Sequence, residues 1–270
     1  YGEYGPDKDL PGFDFTAFFA RGGYLDSLRQ RGTVPMNVVP GLGDHNVGMN
    51  LAAGICAALL QAKLKGVGEK VETSLFESAI FNMGMMIQAS NYEGIAQNYP
   101  IDVRKSANPF NAAWRTKDDR FIQTCMPDFN TYYKAFITAV GREDLADSQE
   151  YFPILTCQEK GLTSELYDIV MDAFSKKTVA EWTLILEAAD IPFALAKNWM
   201  EIRNDKQAEA NNCFYDMTYS NGNTRRLVRL PVKFQEMGVP EYKTGPLIGE
   251  QGAEVLKELG YEDAQIKEMQ

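Results

Sequence analysis

Cysteine is scarce and has no paired spacing: Cys56, Cys125, Cys157 and Cys213 lie far apart along the 270 residues. That scatter suggests neither a metal knuckle nor a disulfide framework, and no metal is expected. Positive charge is also short, with 27 Lys and Arg against 37 Asp and Glu and a net charge of -10. A nucleic-acid partner needs a basic face to displace counterions from phosphates, so that class is excluded. A small ligand with a few phosphates needs only local cations and stays open. No uncharged apolar run reaches the ~20 residues of a membrane span, and Lys63 and Lys65 close the longest candidate. No secretion leader is visible either, so a reducing cytoplasm is the expected compartment. Histidine occurs once, as His45.

What is present is a hydrophobic content of 45%, ordinary for a globular chain, and enough length for one large or two modest domains. The most informative stretch is Pro40-Gly-Leu-Gly-Asp-His-Asn-Val-Gly-Met-Asn50, directly ahead of the apolar run 51–60. It sets the Asp44 carboxylate at the mouth of a helix expected to be buried. Gly41 and Gly43 let the backbone turn sharply, and Gly48 leaves a gap through which a ligand can approach the main chain. Two readings follow. Asp is a preferred N-cap whose oxygens satisfy first-turn amides, and a carboxylate with this access can also be a nucleophile.

The first predicted helix covers residues 49–64, where Ala52, Ala53, Gly54, Ala57 and Ala58 permit close packing. Gly66 and Gly68 end it, residues 70–75 read as a short strand, and a second helix is predicted over 76–92. That order is α/β in character. A polar, proline-containing connection over 91–111 marks a boundary. Beyond it come a strand at 119–125, helices at 130–140, 162–176 and 179–189, and a strand at 191–193. The Asn-Gly pair in Ser220-Asn-Gly-Asn223 joins two further strands, 214–219 and 224–230. Arg225, Arg226 and Arg229 on the second of these read as a solvated strand face rather than a phosphate patch. Helices at 250–259 and 262–270 close the chain.

The words Tyr1-Gly-Glu-Tyr-Gly-Pro6, Pro11-Gly-Phe-Asp-Phe15, Ala20-Arg-Gly-Gly23, Gly41-Leu-Gly-Asp-His45 and Gly66-Val-Gly-Glu-Lys-Val-Glu-Thr-Ser-Leu75 follow one another as in family III CoA-transferases. The resemblance runs on through Glu181-Trp182, Asp190-Ile-Pro-Phe193 and Pro246-Leu-Ile-Gly249 to Glu254-Val-Leu-Lys-Glu-Leu-Gly260. It is closest to members of amino-acid fermentation that move CoA between 2-hydroxy acids and enoyl acids, and so points to an aromatic or branched acyl group.

The resemblance implies an α/β protein: a large Rossmann-like domain whose first part would precede Tyr1, plus a smaller α+β domain. On that basis residues 1–105 are the remainder of the large CoA-binding domain, 106–196 the small domain, and 197–270 a return linker with C-terminal helices packing on the large domain. An interlocked homodimer is expected, with CoA thioester as substrate, no bound cofactor, and neither nucleic acid nor membrane as partner. Asp44 would be the nucleophile. Tyr1, Gly2, Glu3, Gly43, His45, Asn46 and Leu75 are the candidate substrate and CoA contacts. In relatives a mobile loop at the position of 106–111 closes over the site; here the stretch is not glycine-rich, and lid and plain linker both stay open.

Such chemistry needs a charged but poorly solvated carboxylate, amide donors for an oxyanion and exclusion of water. The glycine turns and the amides near residues 45–47 are the expected donors. Two alternatives remain: a 2-methylacyl-CoA racemase of the same fold, which a single histidine fused to the Gly-Asp-His word fits poorly, and an inactive fragment or structural subunit.

Overall fold

A computed structural model describes residues 1–94, 98–238 and 240–269; the predicted connection at 91–111 and the last helix thus each lose residues that lie outside the described set. The chain divides into two compact units, Tyr1–Ala196 and Lys197–Gln270.

In the first unit a π-helical segment, Asp14–Ala20, leads to the single turn α1 (Tyr24–Ser27) and then to α2 (Leu42–Lys65). Helix α2 starts seven residues earlier than the apolar periodicity suggested. Gly41, at φ 84°, makes the left-handed turn that opens it, and the cap needs no side chain from the helix itself. Gly66, at φ 72°, closes it in the same conformation. After it, residues 70–74 form no strand among the described residues, so the predicted strand is only a connection. Val71 is held there by close approach to α2: a Cβ at Gly54 would lie 2.7 Å from Val71 Cγ1. The predicted second helix is two, α3 (Leu75–Asn82) and α4 (Gly84–Ala89), broken at Met83. Ser74 caps α3, its Oγ accepting the Glu77 amide at 3.1 Å.

The expectation that α2 is buried is overturned. Only Gly43 of its residues is buried, and Leu59 and Leu64 are 64% and 73% exposed. Among the described residues it is the one helix long and apolar enough to cross a membrane by length and composition, with a hydropathy of 1.4. The reason is geometric: the π-helical segment, α3 and residues 69–71 reach only part of its surface and leave most of its apolar side chains exposed.

The main core lies further along. Strands β1 (Ala113–Arg115), β2 (Phe121–Thr124) and β3 (Phe193–Leu195) form one antiparallel sheet in that order. Around it lie α5 (Phe129–Ala139), α6 (Ile154–Glu159), α7 (Thr163–Phe174) and α8 (Val179–Ala188). Phe110, Trp114, Phe136, Phe174 and Trp182 are buried at its centre, with Phe174 and Trp182 stacked at 4.3 Å. Their polar atoms are satisfied: Trp114 Nε1 donates to Thr124 Oγ1 at 2.7 Å and Trp182 Nε1 to the Phe174 carbonyl at 2.9 Å.

The second unit contains α9 (Trp199–Arg203), α10 (Lys206–Ala210), the hairpin β4 (Phe214–Thr218) with β5 (Thr224–Val228), and helices α11 (Gly252–Glu258) and α12 (Asp263–Met269). Two of its arginines bond within it: Arg226 donates to Glu209 at 2.8 Å, and Arg229 Nε donates to the Phe214 carbonyl at 2.8 Å beside the stacked rings of Tyr215 and Tyr242. All strands among the described residues are antiparallel, and none falls in residues 1–105. The fold is therefore mixed helix and strand, without a parallel layer among the described residues.

Candidate active site

The Asp44 carboxylate is placed by the start of α2. With Gly41 as N-cap, Asp44 is the third helical residue rather than the cap, and no side-chain cap bond is made at this terminus from within the helix. That job falls to Asp14, at the start of the π-helical segment. Its Oδ2 accepts the Gly41 amide at 2.6 Å and its Oδ1 the Gly43 amide at 2.9 Å. Asp14 is 8% exposed and is the one buried carboxylate among the described residues. A charge in that position is tolerable because two amides at the positive end of a helix hold it. Gly43 is required for the approach: a Cβ there would stand 2.3 Å from Asp14 Oδ1 and 2.4 Å from Phe18 Cγ.

Asp44 itself is exposed and makes no hydrogen bond or ion pair with the described residues. The capping reading of Asp44 is thereby set aside. The expected oxyanion donors are not free either, since Asp14 occupies the glycine-turn amides and the His45 amide donates to the Gly41 carbonyl at 2.9 Å. Nor does this chain by itself shield the carboxylate from water.

The other candidates fall in two groups. Gly43, His45 and Asn46 share the first turns of α2 with Asp44; His45 is exposed, and Asn46 accepts from Asn50, which in turn donates to Ser78 of α3 at 2.9 Å. Tyr1, Gly2 and Glu3 stand instead against residues 70–76. The Tyr1 ring lies 6.5 Å from Phe76 with the Arg21 guanidinium over it, a Cβ on Gly2 would sit 3.9 Å from Ser74 Oγ, and Glu3 pairs with Lys70 at 2.5 Å. The Lys70 hydrogen bond holds the Glu3 carboxyl below the usual glutamate range. Leu75 packs on the small cluster of Phe18, Phe19 and Ala79, so α3 is the element that connects the two groups.

Segment 106–111 is tied into the main core. Asn108 Nδ2 donates to the Met126 carbonyl at 2.7 Å, the Met126 amide donates to Asn111 Oδ1 at 2.6 Å, and Phe110 is fully buried. It acts as an anchored entry to the sheet. Beside it a cavity of about 670 Å³ is lined by Arg31, Tyr99, Asp102, Lys105 and Gln158, without Asp44.

Asp14 went unnoticed among the site residues of the sequence. Its neighbours did not mark it as buried: Phe13 and Phe15 on either side are 66% and 40% exposed, while Phe18 and Phe19 further on are buried.

This architecture is shared with solved proteins. A crystal structure of a CAIB/BAIF family protein from Brucella suis superposes with a TM-score of 0.75 at 18% identity, over 96% of this chain and 66% of that one. The sequence model of CoA-transferase family III matches residues 1–252, and the chain belongs to that family. It is 50% identical over its whole length to cinnamoyl-CoA:phenyllactate CoA-transferase of Clostridium sporogenes. It is 39% identical, over 98% of its length, to (R)-2-hydroxy-4-methylpentanoate CoA-transferase of Clostridioides difficile. The chain spans 65% of the length of each of these two relatives.

Proposed function

We propose that this chain carries the nucleophile of an enzyme that moves CoA between an acyl-CoA, of enoyl or aryl-enoyl type, and a 2-hydroxy acid. The observation that carries the reading is the unengaged Asp44 carboxylate in the Gly41-Leu-Gly-Asp-His45 word, at a helix start already capped by Asp14. The named activities of the two relatives supply the substrate class.

Asp44 attacks the thioester carbonyl of the donor. The C–S bond breaks, CoA leaves as thiolate, and an acyl-aspartyl anhydride remains. The thiolate then attacks the aspartyl carbonyl, which releases the donor acid and leaves aspartyl-CoA. The acceptor carboxylate attacks that thioester, expels CoA thiolate and forms a second anhydride. Attack of the thiolate on the acceptor's acyl carbon gives the new acyl-CoA and regenerates Asp44. A carboxylate nucleophile needs no general base, so His45 serves to shape the site or to bind the hydroxy acid. Tyr1, Gly2, Glu3, Gly43, Asn46 and Leu75 complete the proposed substrate surface.

An anhydride survives only where water is excluded. We assign that shielding to an intertwined homodimer in which the bare faces of α2 are covered. A Rossmann-like layer, a boundary between 105 and 106 and the return of residues 197–270 onto the first domain belong to the same proposal.

The test is Asp44→Asn in the intact polypeptide, assayed with one acyl-CoA donor against a panel of aryl and branched 2-hydroxy acids. Transfer is expected to disappear while acyl-CoA binding persists. Turnover by the variant would place the nucleophile elsewhere, exchange of the α-proton with solvent would support the racemase, and no turnover by the unsubstituted polypeptide would support a structural subunit.

A further inference from the structure

An acidic residue at the third position of a helix has a habitual use: its side chain reaches back and accepts the backbone N–H of the N-cap residue. Among the described residues two acids do this, whereas Glu77 of α3 takes the Ser74 hydroxyl instead at 2.8 Å. Glu181 of α8 accepts the Thr178 amide at 2.8 Å, and Glu201 of α9 accepts the Asn198 amide at 2.8 Å. Asp44 occupies the same position in α2 and accepts nothing from Gly41, whose amide is held by Asp14 at 2.6 Å. Asp14 comes from another element, 27 residues away in sequence, and its second oxygen is fixed by the Gly43 amide at 2.9 Å.

We propose that Asp14 is a positioning residue for the transfer reaction: by occupying the N-cap amide of α2, it keeps the Asp44 carboxylate from folding back onto its own helix and leaves it free to attack. This rests on the reading of Asp44 as the nucleophile. Asp14 touches no substrate. It acts on where the Asp44 side chain points and on which of its lone pairs are available. Asp14 also makes no ion pair among the described residues, so its charge is directed wholly at the two glycine amides. A carboxylate suits this task because both its oxygens accept; an amide of the same shape would turn an NH2 group toward one of the two N–H donors.

The experiment compares Asp14→Asn, Asp14→Ser, Phe18→Leu and Asp44→Asn in the intact polypeptide, with kcat, both KM values and the thermal midpoint measured for each. Asp14→Asn and Asp14→Ser are expected to lower kcat by about 10- to 100-fold, as for a misplaced reacting group, while the acyl-CoA KM moves by less than about threefold. Phe18→Leu loosens the same junction but keeps the carboxylate, and its kcat should stay near that of the unsubstituted enzyme. Near-normal kcat in either folded Asp14 variant would overturn the proposal, as would an equal loss of kcat in Phe18→Leu. If the Asp14 variants are impaired only in stability, Asp14 is a packing residue. Turnover by Asp44→Asn would instead overturn the nucleophile reading, and this proposal with it. A dead Asp44→Asn beside a fully active Asp14→Asn would separate the two, leaving the nucleophile in place.

Discussion

At the scale of single residues, the junction of Asp14, Gly41, Gly43 and Phe18 is a close fit with little room for change. Gly43→Ala would push a methyl group to 2.3 Å from Asp14 Oδ1, so the segments must separate. It is expected to cost about 1–3 kcal/mol of stability, as overpacking does, and to lower transfer activity; urea unfolding and a turnover assay check both. At the same site Asp44 was legible in the sequence because glycines on both sides of an acid ahead of an apolar run are unusual. Asp14 was not, because its partners are backbone amides, and nothing in the identity of Gly41 or Gly43 announces what their N–H groups will bond. The exposed cluster of Glu3, Lys70 and Glu72 is legible only in space. The Lys70 hydrogen bond lowers the Glu3 pKa, so its stabilisation is present above the ordinary glutamate pKa and is lost as pH falls through the lowered value. Lys70→Met should move the Glu3 titration upward, which carboxyl NMR would register.

Secondary-structure elements were most readable where local signals and tertiary packing agree. The pattern for residues 179–189 became Val179–Ala188 because Thr178 and Glu181 form a capping box, and the Asn-Gly turn delivered the hairpin Phe214–Thr218 with Thr224–Val228. The start of α2 was misread because Gly43 and Gly48 disfavour helix by propensity, whereas Asp14 supplies acceptors from a distant segment. In α8 the Glu181 pKa is lowered first by the Thr178 amide and then by its hydroxyl. Thr178→Ala should raise it only partway to the ordinary value, since the amide remains, and the stability lost through this carboxyl on acidification should be smaller than in the unsubstituted chain. The anchored segment 106–111 makes its own prediction. Phe110→Ala should destabilise the first unit by about 3–5 kcal/mol, and the Met126 amide should resist hydrogen exchange because it is bonded to Asn111. A mobile lid would give small effects in both measurements.

For the whole molecule, the bare apolar surface of α2 is the feature that composition concealed: the sequence shows an apolar helix but not what lies against it. Cys56 is on that helix and is exposed, as are Cys125 and Cys213, whereas the Cys157 thiol is buried and pushed up to about 11 by desolvation. In an assembled dimer that covers α2, maleimide should label Cys213 readily, Cys157 hardly at all, and Cys56 only after the assembly is dissociated. The central claim is that Asp44 becomes acylated. Its most direct test is to incubate the intact enzyme with acyl-CoA, trap it with hydroxylamine and map the modified peptide by mass spectrometry. The account predicts a hydroxamate on Asp44 that forms only when acyl-CoA is present and is missing from Asp44→Asn. A hydroxamate on another carboxyl, or rapid transfer with Asp44 never modified, would contradict it.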